Sequence, residues 1–176
     1  MIALAQAQEA QNPLGIEYRV GDVRTLDVPE QFDLALAAYL LVYAPNAEEV
    51  TRMCRAVARS LKPGGLFVAA NNNPADPPAN FGVGRVYGYL RRLEGDLVEG
   101  APLIWQFFLP DGSFEVRNYY LSVKTMNNAF RAAGLREVRW HMPEVSPEGV
   151  REFGREYWTA FLASPPIAFI ECVKRP

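Results

Sequence analysis

The sequence predicts an α/β domain built on a mainly parallel sheet, and three observations predict it. Short apolar runs recur at residues 16–20, 32–38 and 66–70, turn residues bound them, and an amphipathic helix separates the last two. Strand, crossover helix and strand is the unit of a parallel sheet, and such sheets place ligands beyond the carboxyl ends of their strands. The loops at 21–24, 38–43 and 71–73 are therefore expected to open on one edge.

Each element has a local cause. Ile16-Glu17-Tyr18-Arg19-Val20 alternates apolar and polar residues and stops at Gly21-Asp22, which reads as a short strand ending on a carboxylate. Residues 32–38 are too continuous in apolar character for a half-exposed strand and too few for a typical helix, so a strand covered on both faces is expected.

Asn46 with Glu49 three residues on has the form of a capping box, and Val50, Met53, Cys54, Val57 and Leu61 follow at helical spacing. Lys62-Pro63-Gly64-Gly65 should stop that helix. The residue before a proline disfavours the α region, and Gly64 can take the left-handed conformation.

The second half reads as a loop over 71–80, a short helix over 83–93, and a hairpin of 103–109 and 114–121 around Pro110-Asp111-Gly112-Ser113. A helix capped by Ser122 and stopped by Gly134 follows, then a strand at 135–140, a helix opened by Ser146-Pro147 and a closing apolar strand at 166–173. No repeat and no linker divides the chain, so a single domain is expected, with residues 1–73 and 74–176 as its two halves.

Composition sets outer bounds. The 176 residues are 49% hydrophobic and 22% charged, which suits one domain with a sizeable core. A formal net charge of -2 without a basic block gives no electrostatic footprint for nucleic acid. No stretch approaches the ~18 apolar residues of a membrane span, and no targeting signal is visible. Cys54 and Cys172 fit buried reduced thiols better than a disulfide or a metal site, so no metal is expected and the plain reading is cytoplasmic.

In their order and spacing, Gly21-Asp22-Val23, the strand Phe32-Asp33-Leu34-Ala35-Leu36 with Tyr39-Leu40-Leu41-Val42-Tyr43 after it, and Leu61-Lys62-Pro63-Gly64-Gly65-Leu66-Phe67 resemble class I S-adenosylmethionine-dependent methyltransferases. The resemblance covers about the first two-fifths of the chain. A weaker one extends over the rest, to the subgroup acting on small molecules, including ubiquinone-pathway and toxoflavin-type enzymes. It implies a Rossmann-like methyltransferase fold, mainly parallel with an antiparallel last strand.

The family opens with a strand, a glycine-rich loop, a helix and a second strand ending in an acid, none of which stands in this sequence. The resemblance thus implies that the first two strands are missing, with Met1 an internal methionine. An isolated chain of this kind should be weakly stable or self-associate through an exposed edge, making a homodimer an expected partner.

The resemblance further implies S-adenosylmethionine as cofactor and methyl transfer to a small-molecule oxygen, nitrogen or carbon. Gly21, Asp22 and Val23 would meet the adenine, the Asp22 carboxylate accepting from its amino group. Ala38, Tyr39 and Leu40 would line the cofactor pocket, and Tyr39 or Tyr43 could turn a π face toward the sulfonium. His141, the sole histidine, and Tyr43 are the catalytic candidates. Tyr87, Trp105, Tyr119 and Tyr120 are candidates to enclose a planar substrate, with Trp158 beside them. Asn71, Asn72 and Asn73 stand where substrate polar groups could be read. Turn formation and plain core packing are the competing roles for each of these residues. Two other functions compete: a non-catalytic remnant that binds a small molecule or dimerises, and a nicotinamide-dependent oxidoreductase, against which the Gly-Asp-Val and Lys-Pro-Gly-Gly set argues.

Overall fold

A computed structural model describes residues 2–175. Helix α1 (Ile2–Gln11) leads through an irregular stretch to a 3-10 turn at Val23–Thr25, then β1 (Phe32–Ala38), a second 3-10 turn at Leu41–Tyr43, α2 (Ala47–Ser60) and β2 (Leu61–Asn72). Next come 3-10 turns at Pro78–Asn80 and Val83–Tyr87, then β3 (Tyr89–Leu93), β4 (Pro102–Leu109) and β5 (Gly112–Tyr119). The chain closes with α3 (Val123–Ala132), β6 (Leu135–His141), α4 (Pro147–Phe153), α5 (Arg155–Ala163) and β7 (Ile167–Lys174).

Two sheets result. The larger has the order β1-β2-β7-β6, with β1 parallel to β2 and β7 antiparallel to both of its neighbours. The smaller is the antiparallel meander β3-β4-β5. The larger sheet is mixed: β1, β2 and β6 run the same way, and the last strand, β7, is antiparallel as expected.

Helix α2 forms as its sequence dictates. Asn46 Oδ1 accepts from the Glu49 amide at 2.9 Å, and Val50, Met53, Cys54 and Val57 are buried on one stripe. Only half of the capping box closes, because the Glu49 carboxylate instead pairs with Arg24 at 3.0 Å and Arg52 at 3.2 Å. That diversion ties the 23–25 turn to the start of α2. The α2 stripe, Met126, Ala129 and Phe130 of α3, and Phe67, Ala69, Ile170 and Cys172 of the sheet make the main core.

Several expectations are corrected. Residues 16–20 form no strand, and Ile16 and Val20 are exposed. A strand needs a hydrogen-bonded neighbour, and among the described residues β1 is paired on one side only, to β2. Local bonding replaces pairing: the Glu9 carboxylate accepts from the amides of Leu14, Gly15 and Ile16 at 2.7, 2.7 and 3.0 Å.

Strand β1 is not covered on both faces. Ala37 lies in the core while Leu34 and Leu36 are 55% and 70% exposed, because α2 and α3 cover one face and α1 buries none of its residues. Residues 83–93 are a 3-10 turn and a strand rather than one helix. Gly88, at φ +84°, breaks them, and β3 gains a full register against β4. The helix after Ser146 is likewise divided at Gly154, with φ 80° and ψ 157°. The Lys62-Pro63-Gly64-Gly65 segment ends α2 but lies within β2, where the β1 register shifts between Phe32 and Leu34. The Gly64 φ is +75°, as the turn chemistry requires.

Candidate functional site

The carboxyl ends of β1 and β2 meet the meander at a cavity of about 260 Å³. Its walls are Tyr39 and Tyr43 from the segment after β1, Asn72 at the end of β2, Trp105 and Phe107 of β4, and Val116 and Asn118 of β5. Strand alternation explains the meander's share: Trp105 pairs with Val116 and Leu103 with Asn118, so residues two apart present one face.

Tyr39 is held at φ +54°, a conformation that costs an L-residue roughly 1–2 kcal/mol, while its amide donates to Ala70 O at 2.9 Å. Partial burial raises the pKa of its phenol. A strained, half-exposed tyrosine at the mouth of a cavity is an observation that points toward function.

The polar floor of the cavity is a pair of amides. Asn72 Nδ2 donates to Asn118 Oδ1 at 3.4 Å, and both residues are buried. Among the described residues, Asn72 Oδ1, Asn118 Nδ2 and Trp105 Nε1 have no hydrogen-bond partner. Buried polar atoms left in that state are uncommon.

Behind Trp105 lies a charged layer. Arg91 stacks on Phe81 at 4.4 Å and on Trp105 at 5.2 Å, and ion-pairs with Asp76, whose other oxygen accepts from Asn80 at 2.9 Å. A void of only about 20 Å³, room for one water, lies among Asn71, Asn73, Asp76, Arg91, Tyr119 and Tyr120.

The remaining candidates are placed as follows. Gly21, Asp22 and Val23 lead into the 23–25 turn, where Asp22 Oδ1 accepts from the Arg24 amide and from its Nε, both at 2.9 Å. These Arg24 hydrogen bonds hold the Asp22 carboxyl well below the usual range, at about 2. Val23 and Leu40 pack against the main core beside Ala35. Ala38 and Tyr39 are exposed at the end of β1.

Tyr87 lies away from the cavity, in an aromatic cluster. Its ring is stacked 6.0 Å from that of Trp158, and its hydroxyl donates to Tyr157 O at 2.6 Å. His141 ends β6, half-exposed, with Nε2 3.7 Å from a Glu171 oxygen, and does not line the cavity. The structure thus brings Tyr39, Tyr43 and Trp105 together, places Tyr119 and Tyr120 around the smaller void, and leaves Tyr87 and His141 apart. Val116 and Asn118 were not singled out from sequence. The signal available was the two-residue alternation of the hairpin, which places 116 and 118 on the same face as their cross-strand partners 105 and 103.

No helix among the described residues is long and apolar enough to cross a membrane, and no group of three or more His, Cys, Asp or Glu residues there could hold a metal.

Residues 1–65 match the family described as "Methyltransferase domain". The chain is 28% identical over 148 residues to N-demethylindolmycin N-methyltransferase of Streptomyces griseus, covering 81% of this chain and 59% of that one. It is 34% identical over 77 residues to the ubiquinone biosynthesis O-methyltransferase of Pseudomonas syringae pv. tomato, covering 42% and 32%. In both cases the match spans less than two thirds of the relative's length.

Among solved structures, a methyltransferase from Clostridium acetobutylicum that depends on S-adenosylmethionine aligns at a TM-score of 0.63 and 14% identity, over 99% of this chain and 71% of that one. The CcbJ methyltransferase of Streptomyces caelestis aligns at 0.63 and 19%, with the same coverage. The fold is that of class I S-adenosylmethionine-dependent methyltransferases, and the resemblance read from the sequence is borne out. S-adenosylmethionine is the cofactor named for the first of these structures.

An ionised carboxylate at Asp22 can accept from a ligand donor, and Ala38 and Tyr39 stand exposed at the end of β1. The Asp22 carboxylate is at present satisfied by Arg24, so holding a ligand there requires Arg24 to yield.

Proposed function

We propose that this chain methylates the nitrogen, oxygen or carbon of a small molecule, with S-adenosylmethionine as methyl donor. The observation that carries the reading is the cavity at the carboxyl edge of β1 and β2, since ligands of open α/β sheets bind at that edge. Residues 1–73 would supply the cofactor side, through Gly21, Asp22, Val23, Ala38, Tyr39 and Leu40. Residues 74–176 would supply most of the substrate side, with Trp105 in the cavity wall, whereas Tyr87, Tyr119 and Tyr120 stand outside that wall.

The bound cofactor supplies an electrophilic methyl group. The chain's own residues position the nucleophile, exclude water and face positive charge with the Tyr39 and Tyr43 rings. Tyr43 lines the cavity and is the catalytic candidate that geometry favours over His141. The two buried free thiols support a cytoplasmic setting, and the unpaired side of β1 supports homodimer formation.

The test is calorimetric titration of the 176-residue chain with S-adenosylmethionine and S-adenosylhomocysteine, with Asp22→Ala as control. Binding that weakens about tenfold or more in the variant supports the reading. No binding by a folded chain sinks it. A non-catalytic binding module would then be favoured, consistent with an Asp22 carboxylate already satisfied by Arg24. The fold alone does not decide, since the [4+2]-cyclase SpnF aligns at a TM-score of 0.53 and 17% identity.

A further inference from the structure

We infer that the cavity takes an uncharged, planar heteroaromatic ligand presenting a hydrogen-bond donor and acceptor side by side, as in a lactam edge. The inference rests on the proposed function only in calling this ligand the methyl acceptor. The binding chemistry follows from the cavity itself.

Shape comes first. Tyr39, Tyr43, Trp105 and Phe107 supply aromatic walls, and about 260 Å³ lies just below the ~300–1,000 Å³ typical of ligand pockets. A fused two-ring compound suits that space better than a large or flexible one. Planar ligands stack on such walls with little loss of conformational freedom.

Charge comes second. Among the described residues no Asp, Glu, Lys, Arg or His lines the cavity. Arg91 stacks on Trp105, but its charge is met by Asp76 with both side chains almost fully buried. An anionic ligand would lose hydration without gaining a counter-charge.

The amide pair supplies the polar code. Two side-chain amides that bond to each other once leave one acceptor and one donor unused, whichever way each is turned. Here those are Asn72 Oδ1 and Asn118 Nδ2, both buried and unpartnered, with Trp105 Nε1 as a further free donor. These atoms have almost no accessible surface in the empty cavity, so each side-chain amide must turn toward it before a ligand N–H can donate to Asn72 and a ligand carbonyl can accept from Asn118, which would satisfy the two amides at once. A hydrocarbon ring would leave them orphaned and bind poorly.

The experiment titrates the purified full chain calorimetrically with three probes: quinolin-2(1H)-one, its N-methyl derivative and quinoline-2-carboxylate. The expected result is binding of the lactam, with affinity lower by about tenfold or more for the N-methyl derivative and for the carboxylate. Asn118→Leu, checked for folding by its thermal melt, should bring the lactam down to the level of the N-methyl derivative. Should that variant fail to fold, the three-probe series on the unmodified chain still decides. Equal affinity for the lactam and its N-methyl derivative, preference for the carboxylate, or no lactam binding overturns the inference. A separate titration with S-adenosylhomocysteine keeps the outcomes apart. Lactam binding without cofactor binding removes methyl transfer and leaves the ligand class, while the reverse removes the ligand class alone.

Discussion

Asp76, in the loop after β2, ion-pairs with Arg91 of β3, and the two side chains are 1% and 2% exposed. The pair joins the parallel sheet's carboxyl edge to the meander and lies directly behind Trp105. Removing one partner leaves the other charged and dry. Asp76→Ala should therefore lower stability by about 3–5 kcal/mol, read from chemical denaturation, and should disturb ligand affinity through Trp105. A loss under about 1 kcal/mol would show that water reaches Arg91.

Gly100 has a φ of +80°, and a Cβ built there would lie 2.5 Å from the Pro45 carbonyl oxygen. Backbone, unlike a flexible side chain, cannot step aside cheaply. Gly100→Ala is expected to lose about 2 kcal/mol or more in a denaturant titration, by strain at positive φ plus that collision. An unchanged midpoint would contradict the close approach of the two loops.

Tyr39 separates stability from binding. Tyr39→Gly relieves the left-handed backbone while deleting a ring that is 41% exposed, so the two effects on stability should nearly cancel. Ligand affinity should fall by roughly tenfold as one aromatic wall disappears. A variant that binds as well as the parent would remove Tyr39 from the site.

Burial pushes the thiols of Cys54 and Cys172 up to about 12 from an ordinary value near 9. A folded-state pKa above the unfolded one gives stability that is complete below pH 9 and lost as pH rises toward 12, because the unfolded chain releases its protons first. Stability should fall by up to ~1.4 kcal/mol per thiol for each pH unit in that window. Replacing both by Ala should flatten that slope in a series of denaturant melts. At neutral pH neither thiol should react with a thiol reagent until the protein unfolds.

The two edges of the larger sheet differ in their protection. Strand β6 carries Arg136, Glu137 and Arg139 and an irregular register, whereas β1 presents Leu34 and Leu36 beside a single charge, Asp33. The chain should self-associate as its concentration rises, and Leu36→Lys should shift sedimentation toward monomer. A parent chain that stays monomeric at high concentration would sink this prediction.

What was legible in the sequence was what local chemistry decides. The Asn46 cap, the α2 stripe, the Ser122 cap and the hairpin turning at Pro110-Asp111 each need only neighbours a few residues away, and all stand where the residues indicate. Residues 16–20 look like a strand by pattern, yet strand formation depends on a partner that no local pattern reveals. The Asn72–Asn118 contact spans 46 positions, and the Asp76–Arg91 pair depends on Gly88 turning an apparent helix into a turn and a strand. Trp105 and Tyr43 were named for their ring chemistry, but only the meander's placement shows that they share a cavity with two amides.

The position of β7 between β2 and β6 has a consequence for how the molecule is made. On the ribosome, β2 emerges with β1 as its only available neighbour, and its other side waits until residues 73–166 have been synthesised. At ~5–20 residues per second that interval is roughly 5–20 s, long compared with hairpin formation. The meander can form alone in that time, whereas the Phe67 and Ala69 layer cannot be completed. Nascent chains should therefore expose the unpaired side of β2 to holdase chaperones until β7 emerges, and the arrival of β7, rather than local helix formation, should set when the core closes.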